Sequence, residues 1–151
     1  MSPEGMVHAL ETIHNLLKSD GRLIDIHPRG KPTPLYALEA AEKVLLGHIQ
    51  ETDDFIEYRQ ADDAIQNVIN RNMYGLMGEE VFAYSTYAGS LEELSAHLKD
   101  AWSDAILEAS IWEKADQLGI AKTNPSHAEA RRIQIVEQIG IGALIPRIRE
   151  I

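Results

Sequence analysis

Residues 16–28 read LLKSDGRLIDIHP: the end of a helix, a tight turn, a short strand, then a histidine and a proline. Ser19-Asp20-Gly21 interrupts the helical spacing, and a positive φ at Gly21 would close the turn. RLIDIHP has strand propensity, is short and apolar enough for an inner strand, and stops at Pro28.

Upstream, Ser2-Pro3 is a good helix start, a capping hydroxyl followed by a proline whose missing N–H costs nothing. Met6, Leu10, Ile13 and Leu17 recur at helical spacing, so residues 3–18 form an amphipathic helix. Downstream, PRGKPTP (28–34) reads as a rigid loop. LYALEAAEKVLL (35–46) suits a helix by propensity, with a strand around Lys43–Ile49 as the alternative. Residues 58–72 are helical, with Ala61, Ile65, Val68 and Ile69 on one face. Residues 79–89, EEVFAYSTYAG, alternate as a strand.

Ser90-Leu-Glu-Glu93 is a capping box, and an apolar stripe from Leu91 through Trp102 and Trp112 predicts one long helix to about Leu118, stopped by Gly119. KTNPSHAEA (122–130) is a linker or a short helical turn. RRIQIVEQIGIGALIPRI (131–148) forms a long last strand, with a bulge expected at Gly140 or Gly142. The order predicts an α/β or α+β fold with a mixed sheet packed against helices, in one domain spanning 1–151.

Cysteine is absent, which excludes disulfides, thiolate nucleophiles and cysteine-held metals. The net charge of −10 is spread along the chain and argues against nonspecific binding to nucleic acid or anionic lipid. No stretch is apolar for the roughly 18 residues a membrane span needs. MSPEGMVHAL has neither the basic start nor the apolar run of a secretory signal, so a cytoplasmic location is the default expectation.

Residues 6–28, MVHALETIHNLLKSDGRLIDIHP, resemble the later core of a class I S-adenosylmethionine-dependent methyltransferase. Ala9-Leu10-Glu11 matches that family's helix, Leu17-Lys18 opens its turn, Gly21 keeps one of its glycines, and Leu23–Ile26 corresponds to its fifth strand. EEVFAYSTYAGSLEELSAHLKDAW resembles the sixth strand and following helix, and RRIQIVEQIGIGALI the seventh strand. The resemblance spans nearly the whole chain but only the second half of the family's Rossmann-like domain. Ser19 and Asp20 replace the usual proline and first glycine.

The family's cofactor-holding Gly-x-Gly-x-x-Gly turn does not occur, and such a turn works by close backbone approach that side chains cannot imitate. The resemblance therefore implies no cofactor, no tight S-adenosylmethionine binding and no catalysis by this chain alone. It implies a strand edge left open at residues 22–27, closed by a homodimer or by a separate partner chain. A non-catalytic, methyltransferase-like domain with a binding or regulatory role is the leading expectation. A component of a small-molecule methyltransferase needing a separate cofactor-binding half is the alternative.

Asp25 and His27 lie two apart on a strand and share a face, with Arg29 just beyond Pro28. With Tyr87 they form a candidate polar pocket for a small molecule, set against a simple hydrogen-bonded pair at a strand edge. His8, Glu11 and His14 do not have zinc-binding spacing. The pairs Asp53-Asp54 and Asp62-Asp63 lack calcium-loop spacing and read as a solvated loop and helix start. The arginines at 131, 132, 147 and 149 are too few to mark a phosphate-binding surface.

Overall fold

A computed structural model describes residues 2–127 and 130–148. Arg149 and part of the 122–130 linker lie outside the described residues. The elements are α1 (Pro3–Leu16), β1 (Leu23–Pro28), β2 (Thr33–Glu39), β3 (Glu42–Glu51), α2 (Ile56–Asn70), β4 (Tyr74–Ala88), α3 (Leu91–Ala101), β5 (Ala105–Ile106), α4 (Ala109–Gln117), a 3₁₀ turn (Pro125–His127) and β6 (Ile133–Pro146). Among the described residues the fold combines a six-stranded sheet with four helices, of the α+β kind. Among the described residues no helix is long and apolar enough to cross a membrane.

The chain divides into two compact units, residues 1–30, 56–82 and 138–151 in one, and 31–55 and 83–137 in the other. The first unit holds α1, β1, α2, the first part of β4 and the last part of β6. Ser2 caps α1 by accepting from the Gly5 N–H at 3.1 Å, as its hydroxyl beside Pro3 predicts. The turn after α1 closes differently from expectation. Gly21 does not have a positive φ; instead a Cβ there would lie 3.0 Å from the Lys18 carbonyl and 3.1 Å from Leu17 Cδ2, so the residue is small for steric reasons.

β1 pairs antiparallel with β6 in unbroken register from Leu23↔Leu144 to Pro28↔Ile139. The bulge expected at Gly140 or Gly142 is therefore absent from this pairing. β1 ends the strand order, an edge strand and not the inner strand its apolar residues predict. β4 pairs with β6 as well, and Arg147 donates its N–H to the Met73 carbonyl at 2.8 Å at that ladder's end. α2 stops at Asn72, whose φ of 59° and N–H bond to Ile69, with Met73 bonding Val68, make a left-handed cap.

α1 and α2 pack together, and Val7, Leu10, Leu17, Leu23, Ile65 and Ile69 surround a buried centre of Val68, Tyr74 and Leu144. Leu23, Asp25 and His27 therefore point to the helices. Ile24 and Ile26 point away and remain 50% and 58% exposed.

The second unit holds β2, β3, β5, α3, α4, the end of β4 and the start of β6. PRGKPTP is not wholly loop, because Thr33 and Pro34 already pair with Ile49 and His48. Residues 35–46 form a β-hairpin in place of the helix that propensity favours. Alternate residues Leu35 and Ala37 are fully buried and pair with Ile135 and Ile133 of β6, so tertiary burial decides the conformation. The stretch predicted as one long helix breaks at Trp102. β5 adds to β3 through Gln50↔Ile106 and Glu51↔Ala105, and the Trp102 indole N–H donates to Glu51 Oε1 at 2.5 Å. These partners draw residues 102–108 out of the helix.

The capping box forms with a shifted partner. Ser90 Oγ accepts from the Glu93 N–H at 3.1 Å, while Glu93 Oε2 accepts from Gly89 rather than from Ser90. Gly119, with a φ of 69°, ends α4 as its position predicts.

Candidate functional site

The candidate site is a cleft in the first unit, built on the helix-facing side of β1 and β6. Strand alternation sends Asp25 and His27 to the same side. The register sets them opposite Gly142 and Gly140, so neither has a cross-strand side chain beside it. Nothing lies within 4 Å of where a Gly142 Cβ would be. Over Gly140 lies Arg29, whose Cδ is 3.0 Å from a Cβ built there.

The imidazole of His27 sits between two carboxylates. Nε2 is 2.8 Å from Asp62 Oδ1 of α2, in hydrogen-bond geometry. Nδ1 is also 2.8 Å from Asp25 Oδ2, close enough to form an ion pair when the ring is protonated. Asp25 does most to raise the histidine's pKa above its ordinary value, burial opposes the rise, and Asp62 adds to it. The His27 side chain is 15% exposed and that of Asp62 45%, so one end of the triad is open to solvent.

This arrangement has a pH signature. His27 binds its proton more tightly folded than unfolded, so its contribution to stability is complete below the ordinary value of 6.5 and lost as pH rises through the raised value. Chemical denaturation from about pH 6 to about pH 9 is expected to show wild-type stability falling relative to His27→Gln. Equal slopes for the two proteins would contradict the clamp.

The cleft has a volume of about 250 Å³; Ile65, Leu76, Val81 and Leu144 supply apolar walls, and Glu79 and Glu80 of β4 complete the lining. Three of the four residues singled out in the sequence, Asp25, His27 and Arg29, thus meet in one cavity. Tyr87 does not. It belongs to the second unit, where its hydroxyl is 3.2 Å from Gln134 Nε2 and Arg131 lies 4.8 Å over its ring.

Asp62 is the residue that sequence reasoning missed. Its place beside Asp63 suggests a solvated helix start, but it shares the helical stripe of Ile65 and Ile69 and is His27's partner. A carboxylate on an otherwise apolar stripe was the available signal. Asp53 accepts from the Phe55 N–H at 3.1 Å, a turn role in keeping with its loop position.

Among the described residues no group of three or more His, Asp or Glu side chains is arranged to hold a metal ion. Glu11 pairs with Arg71 at 2.6 Å, and His14 packs edge-on against Tyr74 with ring centroids 5.2 Å apart. In comparisons with known proteins, no family model, curated protein or solved structure matches this chain.

Proposed function

We propose that the chain is a non-catalytic, methyltransferase-like module that forms a homodimer and serves a binding or regulatory role. The observation that carries this reading is the free edge of β1. β1 is last in the strand order, and Ile24 and Ile26 are half exposed beside Ile139, Ile141 and Ala143 on the same face. Among the described residues β1 has no strand on its outer side, and although Pro28 ends it and Asp25 faces the helices, the exposed face keeps only the apolar Ile24 and Ile26.

A second copy fits because the edge is self-complementary. Two β1 strands related by a twofold axis pair antiparallel and bring the same isoleucines together from both chains. Light scattering is expected to give twice 16.9 kDa. Ile24→Lys with Ile26→Lys should weaken association at least about tenfold, since each lysine places a charge in desolvated contact. A wild-type chain that stays at 16.9 kDa at high concentration overturns the reading.

One observation favours the alternative of a methyltransferase component. β6, the strand equated with that family's seventh, pairs with both β1 and β4, equated with its fifth and sixth. On that reading a separate cofactor-binding chain occupies the β1 edge. S-adenosylmethionine would then give heat of binding only when such a chain is added. The homodimer reading is preferred because the β1 edge is self-complementary and a second copy closes it without a second kind of chain.

A further inference from the structure

We infer that the outer edge of β4, from Leu76 to Phe82, is a docking site for an extended basic segment of another protein, which adds to the sheet as a further strand. β4 pairs with β6 on one side, and among the described residues no strand lies on its other side. The outward N–H and C=O groups of that edge are a template for main-chain pairing.

The exposure of β4 differs in kind from that of β1. Along β1 exposure alternates, because the helices cover one face only. In β4 every residue from Leu76 to Phe82 is exposed, on one face as on the other. Successive strand residues take opposite faces. Leu76 and Met77 therefore put one apolar side chain on each face, and so do Val81 and Phe82. Glu79 and Glu80, between them, put one carboxylate on each.

A strand added to this edge sets its own side chains beside those of β4 on both faces, where opposite charges stabilise and like charges destabilise. The complement of β4 is thus two successive basic residues flanked by apolar or β-branched ones. The same pattern selects against a second copy. Its β4 would bring the same two glutamates, and its β1 has no lysine or arginine between Leu23 and Pro28. The whole chain also has a net charge of −10.

Gly78 adds a steric reason. A Cβ built there meets nothing within 4 Å, and Gly78 shares a face with Glu80. A long lysine or arginine stem can lie across that position with its charged end on the Glu80 carboxylate. A glycine inside a strand also marks a place where another backbone can come close.

This inference goes beyond the dimer reading and does not depend on it, because the dimer uses β1 and is decided by mass. The test is isothermal titration of the full chain with a nine-residue peptide of alternating threonine and valine with Arg-Lys at its centre. The controls are the same peptide with Glu-Glu at the centre, and one with a proline beside Arg-Lys that removes a backbone donor. One Arg-Lys peptide per chain is expected to bind, at least about tenfold more tightly than either control. Added salt should weaken it.

Glu79→Lys/Glu80→Lys should invert the preference between the Arg-Lys and Glu-Glu peptides, with a thermal melt close to wild type because both side chains are exposed. Amide exchange at residues 76–82 should slow when the Arg-Lys peptide is bound. Absence of binding at millimolar peptide overturns the inference, and so does an unchanged preference in the charge-reversed variant. Slowed exchange at residues 22–28 instead would put the peptide on β1. Exchange at 76–82 that slows with protein concentration alone would give the edge to a second copy. Either result also overturns it.

Discussion

Tyr74→Ala is expected to destabilise the first unit by about 3–5 kcal/mol, the range for deleting a large buried aromatic. Tyr74 is fully buried at the start of β4, where it packs with Val68 and Leu144. Its hydroxyl donates to the Leu10 carbonyl at 2.8 Å, and its ring meets His14 edge-on. The side chain thus ties α1 to the sheet by apolar burial and by one hydrogen bond. Tyr74→Phe separates the two contributions and should cost only about 1 kcal/mol. Equilibrium urea denaturation with both variants checks this; a Tyr74→Ala loss below about 1 kcal/mol would mean the ring is not a core element.

Ile111→Ala should have a similar effect in the second unit, about 2–5 kcal/mol. Ile111 is completely buried on α4 among Leu35, Leu46, Ile49, Leu94 and Ile133. Its contact with β3 is unusually close. A Cβ at Gly47 would lie 2.7 Å from Ile111 Cγ1 and 3.1 Å from Cδ1, so α4 can approach the strand only because residue 47 has no side chain. Gly47→Ala alone is therefore expected to cost about 1–3 kcal/mol by overpacking. In the Ile111→Ala background its cost should shrink, since the clashing atoms are gone. A double-mutant cycle in urea reads this coupling directly. Strict additivity would show that Ile111 does not set the helix–strand spacing.

Local chemistry made some of this architecture legible and tertiary partners hid the rest. Ser2-Pro3, Asn72 and Gly119 act where short-range rules operate, although only the first and last were read as helix signals. β1 follows from strand propensity and the stop at Pro28, though not its place at the edge, and β6 and the apolar face of α2 follow from periodicity. The hairpin of β2 and β3 was hidden by composition. Its turn runs through Ala40 at a φ of 51°, where a glycine or asparagine would have announced it. The helix predicted to reach Leu118 fails because β3 offers strand pairing and Glu51 offers Trp102 a hydrogen bond, neither visible in a local window.

The candidate site divides the same way. Asp25, His27 and Arg29 are close in sequence, so strand alternation predicts their common neighbourhood. Asp62 comes from α2 and Glu79 and Glu80 from β4, and only the fold brings them in. Tyr87 shares only residue type with a polar pocket, and no sequence spacing ties it to the first three. Gly140 and Gly142 were read as a strand defect; they are the places opposite His27 and Asp25 where the absence of side chains opens the cleft.

The central claim is that a second copy of the chain covers the edge of β1. Amide hydrogen exchange across residues 22–28, measured over a wide range of protein concentration, tests it most directly. Among the described residues β1 pairs only with β6, so the amides on its other side bond only if a partner strand takes them. Protection of those amides that rises with concentration, and disappears in Ile24→Lys/Ile26→Lys, is the expected result. Exchange of the same amides that is fast and identical at every concentration would contradict it.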